Sequence, residues 1–165
     1  MPGHMNIIIL DDYQDAVRKL KCASLLEPLN AKVFTNTVKG IGQLSVRLRD
    51  ADVLVLIRER TAFPRQLLEK LPKLKLISQT GKVGSHIDVE ACTRLGIAVA
   101  VVESEPILQG HPLLRLENAV CTPHIGYVEQ DSYEMYFGAA FQNVVNFVNQ
   151  QPTNLLNPEA LRVHR

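Results

Sequence analysis

A histidine and a glutamate in the second half of the chain could transfer protons. His124 stands in the run Thr122-Pro123-His124-Ile125-Gly126, and Glu105 lies a short distance upstream. A neutral imidazole takes up a proton near physiological pH, and a neighbouring carboxylate can hold its ring in one tautomer and raise its pKa. Pro123 favours extended backbone and Gly126 permits a sharp turn. The sequence therefore predicts an acid/base pair at a strand-to-helix corner, or else a corner histidine bonded to a backbone carbonyl.

A second group of residues could bind an anion. In the run Gly81-Lys82-Val83-Gly84, successive amides can form an anion-binding concavity, and Gly84 lets the anion approach the main chain. Arg58 and Arg60 follow the third predicted strand, where one of them could face the cleft in which open α/β sheets bind ligands. The alternatives are structural: a loop glycine needed only for its φ angle, and cationic side chains that are only solvated surface. His86 is predicted to make local hydrogen bonds.

Short apolar runs alternate with helical patterns along most of the chain. The predicted strands cover residues 6–10, 31–36, 51–57, 74–78 and 97–102. At this spacing the connections are right-handed crossovers, which place helices on both faces of a parallel sheet. We predict a flavodoxin-like three-layer α/β/α sandwich with a mainly parallel five-stranded sheet, and one more short strand over residues 118–121.

Several helices have recognisable ends or faces. Asp11 or Asp12 is expected to cap a helix after the first strand, and Asp88 to cap a helix that Gly96 closes. The first of these helices should turn Ala16, Val17, Leu20 and Leu25 inward. Residues 129–149 carry apolar side chains at three- and four-residue intervals, which predicts a helix of about five turns packed on the sheet. That stripe comprises Tyr133, Phe137, Ala140, Phe141, Val144 and Val148.

The length of 165 residues favours a single domain, which we place at residues 6–150. Residues 1–5 are expected to be a vector-derived leader. Residues 151–165, with their prolines and asparagines, are expected to form an irregular and partly mobile tail.

Composition excludes several functional classes. The net charge is +1 and no long run of either sign occurs, so nucleic-acid binding is not expected. No apolar run approaches the roughly 20 residues of a membrane span. Cys22, Cys92 and Cys121 lack the spacing of a zinc site and read as buried thiols in a reducing compartment. We therefore expect a soluble, cytoplasmic protein without a metal site.

These residues also resemble the D-isomer-specific 2-hydroxyacid dehydrogenases. The likeness is carried by Ala51-Asp52-Val53 with Arg58, Arg60 and Thr61, and by Leu74 to Ser78, Gly81 to Asp88, Gly96 to Val99, Glu105-Pro106, Pro112-Leu113, Asn118 to Val120, and Thr122 to Gly126. It implies oxidation of a 2-hydroxy acid, or reduction of a 2-oxo acid, with NAD(H) or NADP(H). It further implies that His124 is the acid/base, that Glu105 orients it, and that the amides of Lys82, Val83 and Gly84 bind the substrate carboxylate.

One part of that family's pattern is missing. A dinucleotide needs a Gly-x-Gly-x-x-Gly turn at a helix N-terminus, and Gly40-Ile41-Gly42 has Ser45 where the third glycine would stand. The resemblance implies a cofactor domain inserted in the middle of the substrate domain, whereas here the two blocks meet near Ala100. The sequence thus predicts a shortened substrate-binding domain that binds no cofactor and is inactive alone. The full-length parent would use NAD(P).

Loss of such a domain would uncover apolar surface. We expect Val99, Val101, Val102 and the helix around residues 133–141 to contribute to it, and self-association or a helix swap to follow. A small 2-hydroxy or 2-oxo acid, weakly bound, is the only other expected partner.

Two other functions fit parts of the sequence. A receiver-type signalling domain would place a magnesium ion at Asp11-Asp12, although Arg58-Glu59 stands where its phosphoacceptor aspartate should be. A structural or folding-study module without any ligand differs from the substrate-domain hypothesis only in whether 2-oxo acids bind.

Overall fold

The described residues build one parallel sheet. The computed structural model describes residues 5–102 and 130–163, with strands β1 Ile7–Ile9, β2 Lys32–Val33, β3 Val53–Ile57, β4 Leu76–Thr80 and β5 Ala98–Val101. Their order is β2-β1-β3-β4-β5, and every neighbouring pair is parallel. The predicted five-stranded sheet is confirmed, while the strand predicted over residues 118–121 lies outside the described residues.

Helices cover both faces of this sheet. One face carries α1 Ile41–Leu48, α2 Arg65–Leu68 and α3 Val89–Arg94, and the other carries α4 Gln130–Val148 and the 3-10 helices Val17–Lys19 and Lys21–Leu29. In β3, Leu54 and Leu56 point to the first face, whereas Val53 and Val55 point to the second. A strand buried on both faces needs apolar residues at every position, which explains the continuous apolar runs. The three-layer prediction is confirmed.

The long helix α4 turns its predicted stripe to the sheet. Five residues of that stripe are buried: Phe137, Ala140, Phe141, Val144 and Val148. Ser78 Oγ on β4 donates a hydrogen bond to the carbonyl of Ala140 at 2.8 Å. Here α4 therefore folds back onto the sheet of its own chain.

The connection after β1 differs from the prediction. Two 3-10 helices replace the expected α-helix, and Leu26 is buried while Leu25 is 36% exposed. A 3-10 helix repeats every three residues, so the inward positions run from Val17 through Leu20 to Leu26. The prediction of Leu25 as a core residue was wrong because it assumed a period of 3.6.

The segment after Gln151 is tied to the edge of the sheet. The amide of Val101 donates to the carbonyl of Asn154 at 3.1 Å, and the amide of Leu156 donates to the carbonyl of Val99 at 2.7 Å. The buried Asn157 side chain accepts a bond from the Val99 amide at 2.7 Å and donates to the Ile97 carbonyl at 2.9 Å. A 3-10 helix, Pro158–Arg162, follows. Residues 154–157 of this segment thus cover β5 through backbone and side-chain hydrogen bonds.

The apolar surface expected to drive self-association is largely covered. Val99 is 0% exposed, and Phe137, Ala140 and Phe141 are buried against the sheet. The prediction that these four residues lie open was wrong, because the tail and the sheet cover them, whereas Val101, Val102 and Tyr133 are half-buried.

Candidate functional site

The predicted acid/base pair lies outside the part of the chain that the structure describes. Neither Glu105 nor His124 falls within residues 5–102 or 130–163, and the same is true of Cys121. The geometry of the candidate site therefore comes from the carboxyl ends of β1, β3 and β4.

The backbone of Arg58 is held in an unusual conformation directly after β3. Its φ is +53°, in the left-handed region that residues with a side chain seldom adopt. Thr80 Oγ1 accepts the Arg58 amide at 3.3 Å and donates to the Leu56 carbonyl at 3.0 Å. Gln79 Nε2 donates to the Arg58 carbonyl at 3.0 Å. Two neighbouring residues of β4 thus bind the backbone of Arg58 on both sides of its Cα.

The side chain of Arg58 lies against Gly81, the first residue after β4. Gly81 is buried at φ +93°, and a Cβ built there would lie 3.0 Å from Nη1 of Arg58. The backbone angle therefore favours glycine at this position, and an added Cβ would also press on the end of the Arg58 side chain. Arg58 also lines a small void beside the Tyr133 and Tyr136 rings of α4.

The predicted anion loop continues from Gly81. Lys82 is exposed, and its carbonyl accepts a long hydrogen bond of 3.4 Å from Gln79 Nε2. Val83 is half-buried against the core of the α1–α3 face. Gly84 is exposed without a positive φ, and an added Cβ would make only an ordinary contact with His86 Nδ1 at 3.7 Å. Sequence reasoning singled out Gly84, but the conformationally required glycine is Gly81.

His86 closes the loop. Its Nδ1 accepts the Gly84 amide at 3.4 Å, and its carbonyl accepts the Phe63 amide at 2.6 Å. Its Nε2 is buried and has no hydrogen-bond partner within residues 5–102 and 130–163. Burial lowers the pKa of His86, and the nearby Glu59 carboxylate opposes this effect. The local hydrogen bonding predicted for His86 is present, since the ring and its backbone fasten the loop to the β3–α2 connection.

Arg60 points elsewhere. Its Nη1 donates to the Asp11 carbonyl at 2.6 Å, and its guanidinium carbon lies 4.8 Å from the centre of the Tyr13 ring. It lines a cavity of about 330 Å³ with Lys39, Thr61 and residues of α1 and α2. Arg58 borders α4 on the opposite face, so the two arginines do not converge.

The acidic pair after β1 serves the backbone. Asp12 Oδ1 and Oδ2 accept the amides of Ala16 at 3.1 Å and Val17 at 3.0 Å. The Asp11 carboxylate accepts a hydrogen bond from Thr61 Oγ1. These contacts give both carboxylates a structural role. Within the described ranges, no cluster of His, Cys, Asp and Glu could hold a metal ion, and no helix could span a membrane.

A family model and several known proteins match this chain. The model for the catalytic domain of D-isomer specific 2-hydroxyacid dehydrogenases matches residues 7–157. D-3-phosphoglycerate dehydrogenase of Methanocaldococcus jannaschii is 36% identical over 96 residues, covering 58% of this chain and 17% of the relative. Glyoxylate reductase of Aeropyrum pernix is 28% identical over 131 residues, covering 72% of this chain and 39% of the relative. The chain thus spans well under half the length of these curated relatives.

Solved structures agree with the fold. A putative D-3-phosphoglycerate dehydrogenase oxidoreductase from Ralstonia solanacearum has a TM-score of 0.76 and 30% identity, with 95% of this chain and 98% of that chain covered. A phosphoglycerate oxidoreductase from Vibrio cholerae has a TM-score of 0.59 and 48% identity over 62% of this chain and 33% of that one.

Proposed function

The chain belongs to the D-isomer-specific 2-hydroxyacid dehydrogenase family, and from that premise we propose that it is the shortened substrate-binding part of such an enzyme. This family acts on small hydroxy and keto acids. The ligand is then a small 2-hydroxy or 2-oxo acid bound through its carboxylate at the carboxyl ends of β3 and β4.

The contact between Arg58 and Gly81 carries this proposal. It brings a guanidinium, which binds carboxylates through paired hydrogen bonds, beside a loop of backbone amides. Lys82 and Val83 would contribute amides to the same carboxylate, while the amide of Gly84 is already directed to His86. His124 would exchange the proton of the substrate hydroxyl, and Glu105 would orient it, as the sequence predicts.

The described residues do not fit the family's NAD cofactor. A pyrophosphate binds where a glycine-rich turn links a central strand to a helix N-terminus. Here β1 leads instead to the buried carboxylates of Asp11 and Asp12. Gly40-Ile41-Gly42 begins α1 after β2, a two-residue strand at the sheet edge. We therefore propose that this chain performs no hydride transfer by itself, because that chemistry needs a bound nicotinamide.

Amide chemical shifts provide a direct test. Titration of ¹⁵N-labelled protein with glyoxylate or pyruvate should move the resonances of Lys82, Val83 and Arg58 Nε. The methyl esters of the same acids are the matched control, since they lack the carboxylate and should leave these resonances in place. The absorbance of added NADH should stay constant with every acid.

Two results would contradict the proposal. Absence of any shift with a range of 2-oxo acids would favour the structural module without a ligand. Sustained oxidation of NADH that the His124→Ala variant abolishes would show that the chain is a complete enzyme.

A further inference from the structure

Gln79 is a polar residue in a buried position that an apolar residue could fill. Gln79 is 0% exposed on β4, between β3 and β5, and its Oε1 has no hydrogen-bond partner among the described residues. A buried acceptor without a donor destabilises the fold. Its Nε2, in contrast, donates to the carbonyl of Arg58 at 3.0 Å and makes longer contacts of 3.4 Å with the carbonyls of Thr80 and Lys82. The contacts of Gln79 are therefore concentrated on the two segments that frame the proposed carboxylate site.

Thr80 reaches the same arginine from the other face of the sheet. Successive residues of a strand point to opposite faces, and Thr80 borders Tyr133 and Tyr136 on the α4 side. Its hydroxyl accepts the Arg58 amide and donates to the Leu56 carbonyl. Gln79 and Thr80 thus bind the backbone of Arg58 from both faces.

This double contact opposes the intrinsic preference of Arg58. A non-glycine residue with φ near +53° persists only where its surroundings fix it. That backbone angle sets the direction in which the side chain leaves β3, and the side chain then reaches Gly81. We propose that Gln79 and Thr80 are positioning residues that hold Arg58 in the conformation that binds the substrate carboxylate. The role in binding rests on the function proposed above, whereas the effect on Arg58 does not.

Three variants of neighbouring residues in β4 test this inference. Thr80→Val removes the hydroxyl and keeps the shape, and Gln79→Met removes Nε2 and keeps most of the volume. Ser78→Ala is the matched control, because it also removes one buried hydrogen bond from β4, but that bond goes to Ala140. Thr80→Ser keeps the hydroxyl and should behave like the wild type.

The first measurement needs no ligand. In the wild type, cross-relaxation between the Arg58 side-chain protons and the Gly81 α-protons should be strong, and ¹⁵Nε relaxation should show an ordered guanidinium. Both signals should weaken in Thr80→Val and Gln79→Met and persist in Ser78→Ala. Equal signals in all variants would refute the positioning role, whatever the protein binds.

The second measurement is glyoxylate affinity from amide shifts. Thr80→Val and Gln79→Met should each weaken binding about tenfold, as expected when the binding-competent conformer falls to about a tenth of the population. Ser78→Ala should bind like the wild type despite its lower stability. Loss of the Arg58–Gly81 signals with unchanged affinity would overturn the inference for binding. Failure of the wild type to bind any acid, with the first measurement as expected, would refute the proposed function alone.

Discussion

The corners after β1 and β3 share a left-handed backbone residue, but different groups stabilise the two corners. Each strand is followed by a non-glycine residue in the left-handed region, Asp11 at φ +62° and Arg58 at φ +53°. At the β1 corner, the buried carboxylates of Asp11 and Asp12 accept hydrogen bonds from nearby groups. At the β3 corner, side chains from β4 hold the backbone, and the charged side chain extends to the anion loop. Because β4 stabilises the backbone of the second corner, the Arg58 side chain is left for the ligand role proposed above.

The largest expected effect is a loss of stability on substitution of Asp12 at the corner after β1. Asp12→Ala removes a buried acceptor of two amides, which should lower the free energy of unfolding by about 2–3 kcal/mol. Asp12→Asn keeps one acceptor oxygen and should lose about half as much. Urea unfolding measures both. A loss below about 0.5 kcal/mol in Asp12→Ala, the range of ordinary surface substitutions, would show that this corner does not depend on its carboxylate.

Gly81→Ala should affect stability and binding together. The left-handed φ disfavours alanine, and the new Cβ would displace the Arg58 guanidinium, so we expect a loss of about 1–2 kcal/mol. Glyoxylate should no longer move the Arg58 Nε resonance. Gly84→Ala is the control and should change stability by less than about 0.5 kcal/mol, because Gly84 is exposed without a positive φ. Equal effects of the two variants would contradict the assignment of Gly81 as the required glycine.

Substitution of Arg60 should mainly affect stability, whereas substitution of Arg58 should mainly affect ligand binding. Arg60→Gln removes the bond to Asp11 and the contact with the Tyr13 ring, and should lower the free energy of unfolding by about 1 kcal/mol. Arg58→Gln should mainly weaken glyoxylate binding. Urea unfolding and amide-shift titration of both variants provide the comparison. If Arg60→Gln weakened binding as much as Arg58→Gln, the two corners would form one site.

The smallest expected effect is a pH dependence from His86. Burial lowers the pKa of this histidine in the folded state, so the unfolded chain binds a proton more readily. The stability due to neutral His86 is present above its ordinary pKa of about 6.5 and is lost as the pH falls through the folded value. The urea midpoint should therefore fall slightly on acidification, and His86→Asn should remove that part of the slope. A slope unchanged in His86→Asn would assign it to other groups.

Carboxylates act in a separate pH range. The hydrogen bond from Lys73 lowers the pKa of Asp50, and the backbone amide of Cys22 lowers that of Glu134. The stability that these two carboxylates contribute is lost only as the pH falls below their ordinary pKa of about 4. The histidine effect can therefore be measured at mildly acidic pH without them.

Local patterns predicted the regular parts of the fold. The apolar runs predicted the strands, and the three- and four-residue spacing of apolar residues predicted α4 and its buried face. Asp88 accepts the Ala91 amide at 2.8 Å, and Gly96 lies at φ +64°, as their positions at helix ends predict. Each of these features depends on residues within a few positions of one another, and sequence periodicity reports such relations well.

The features that were missed depend on distant contacts. The Glu134 carboxylate accepts the amides of Lys21 at 2.6 Å and Cys22 at 2.9 Å, which fixes the start of a 3-10 helix from more than a hundred residues away. The separation of Arg58 from Arg60 likewise depends on contacts with β4 and with the β1 corner. Sequence spacing placed both arginines after the same strand, but it could not show that their side chains point to opposite faces of the sheet.

The covering of β5 by residues 154–157 also has a consequence for biosynthesis. Those residues bind the amides of Val99 and Val101 and the carbonyl of Val99, yet a ribosome adds them more than fifty positions later. Until then β5 lacks these partners among the described residues, and other polypeptides could pair with its edge. Synthesis of residues 154–157 therefore covers this edge of the sheet, and a product released before residue 154 would expose a template for aggregation.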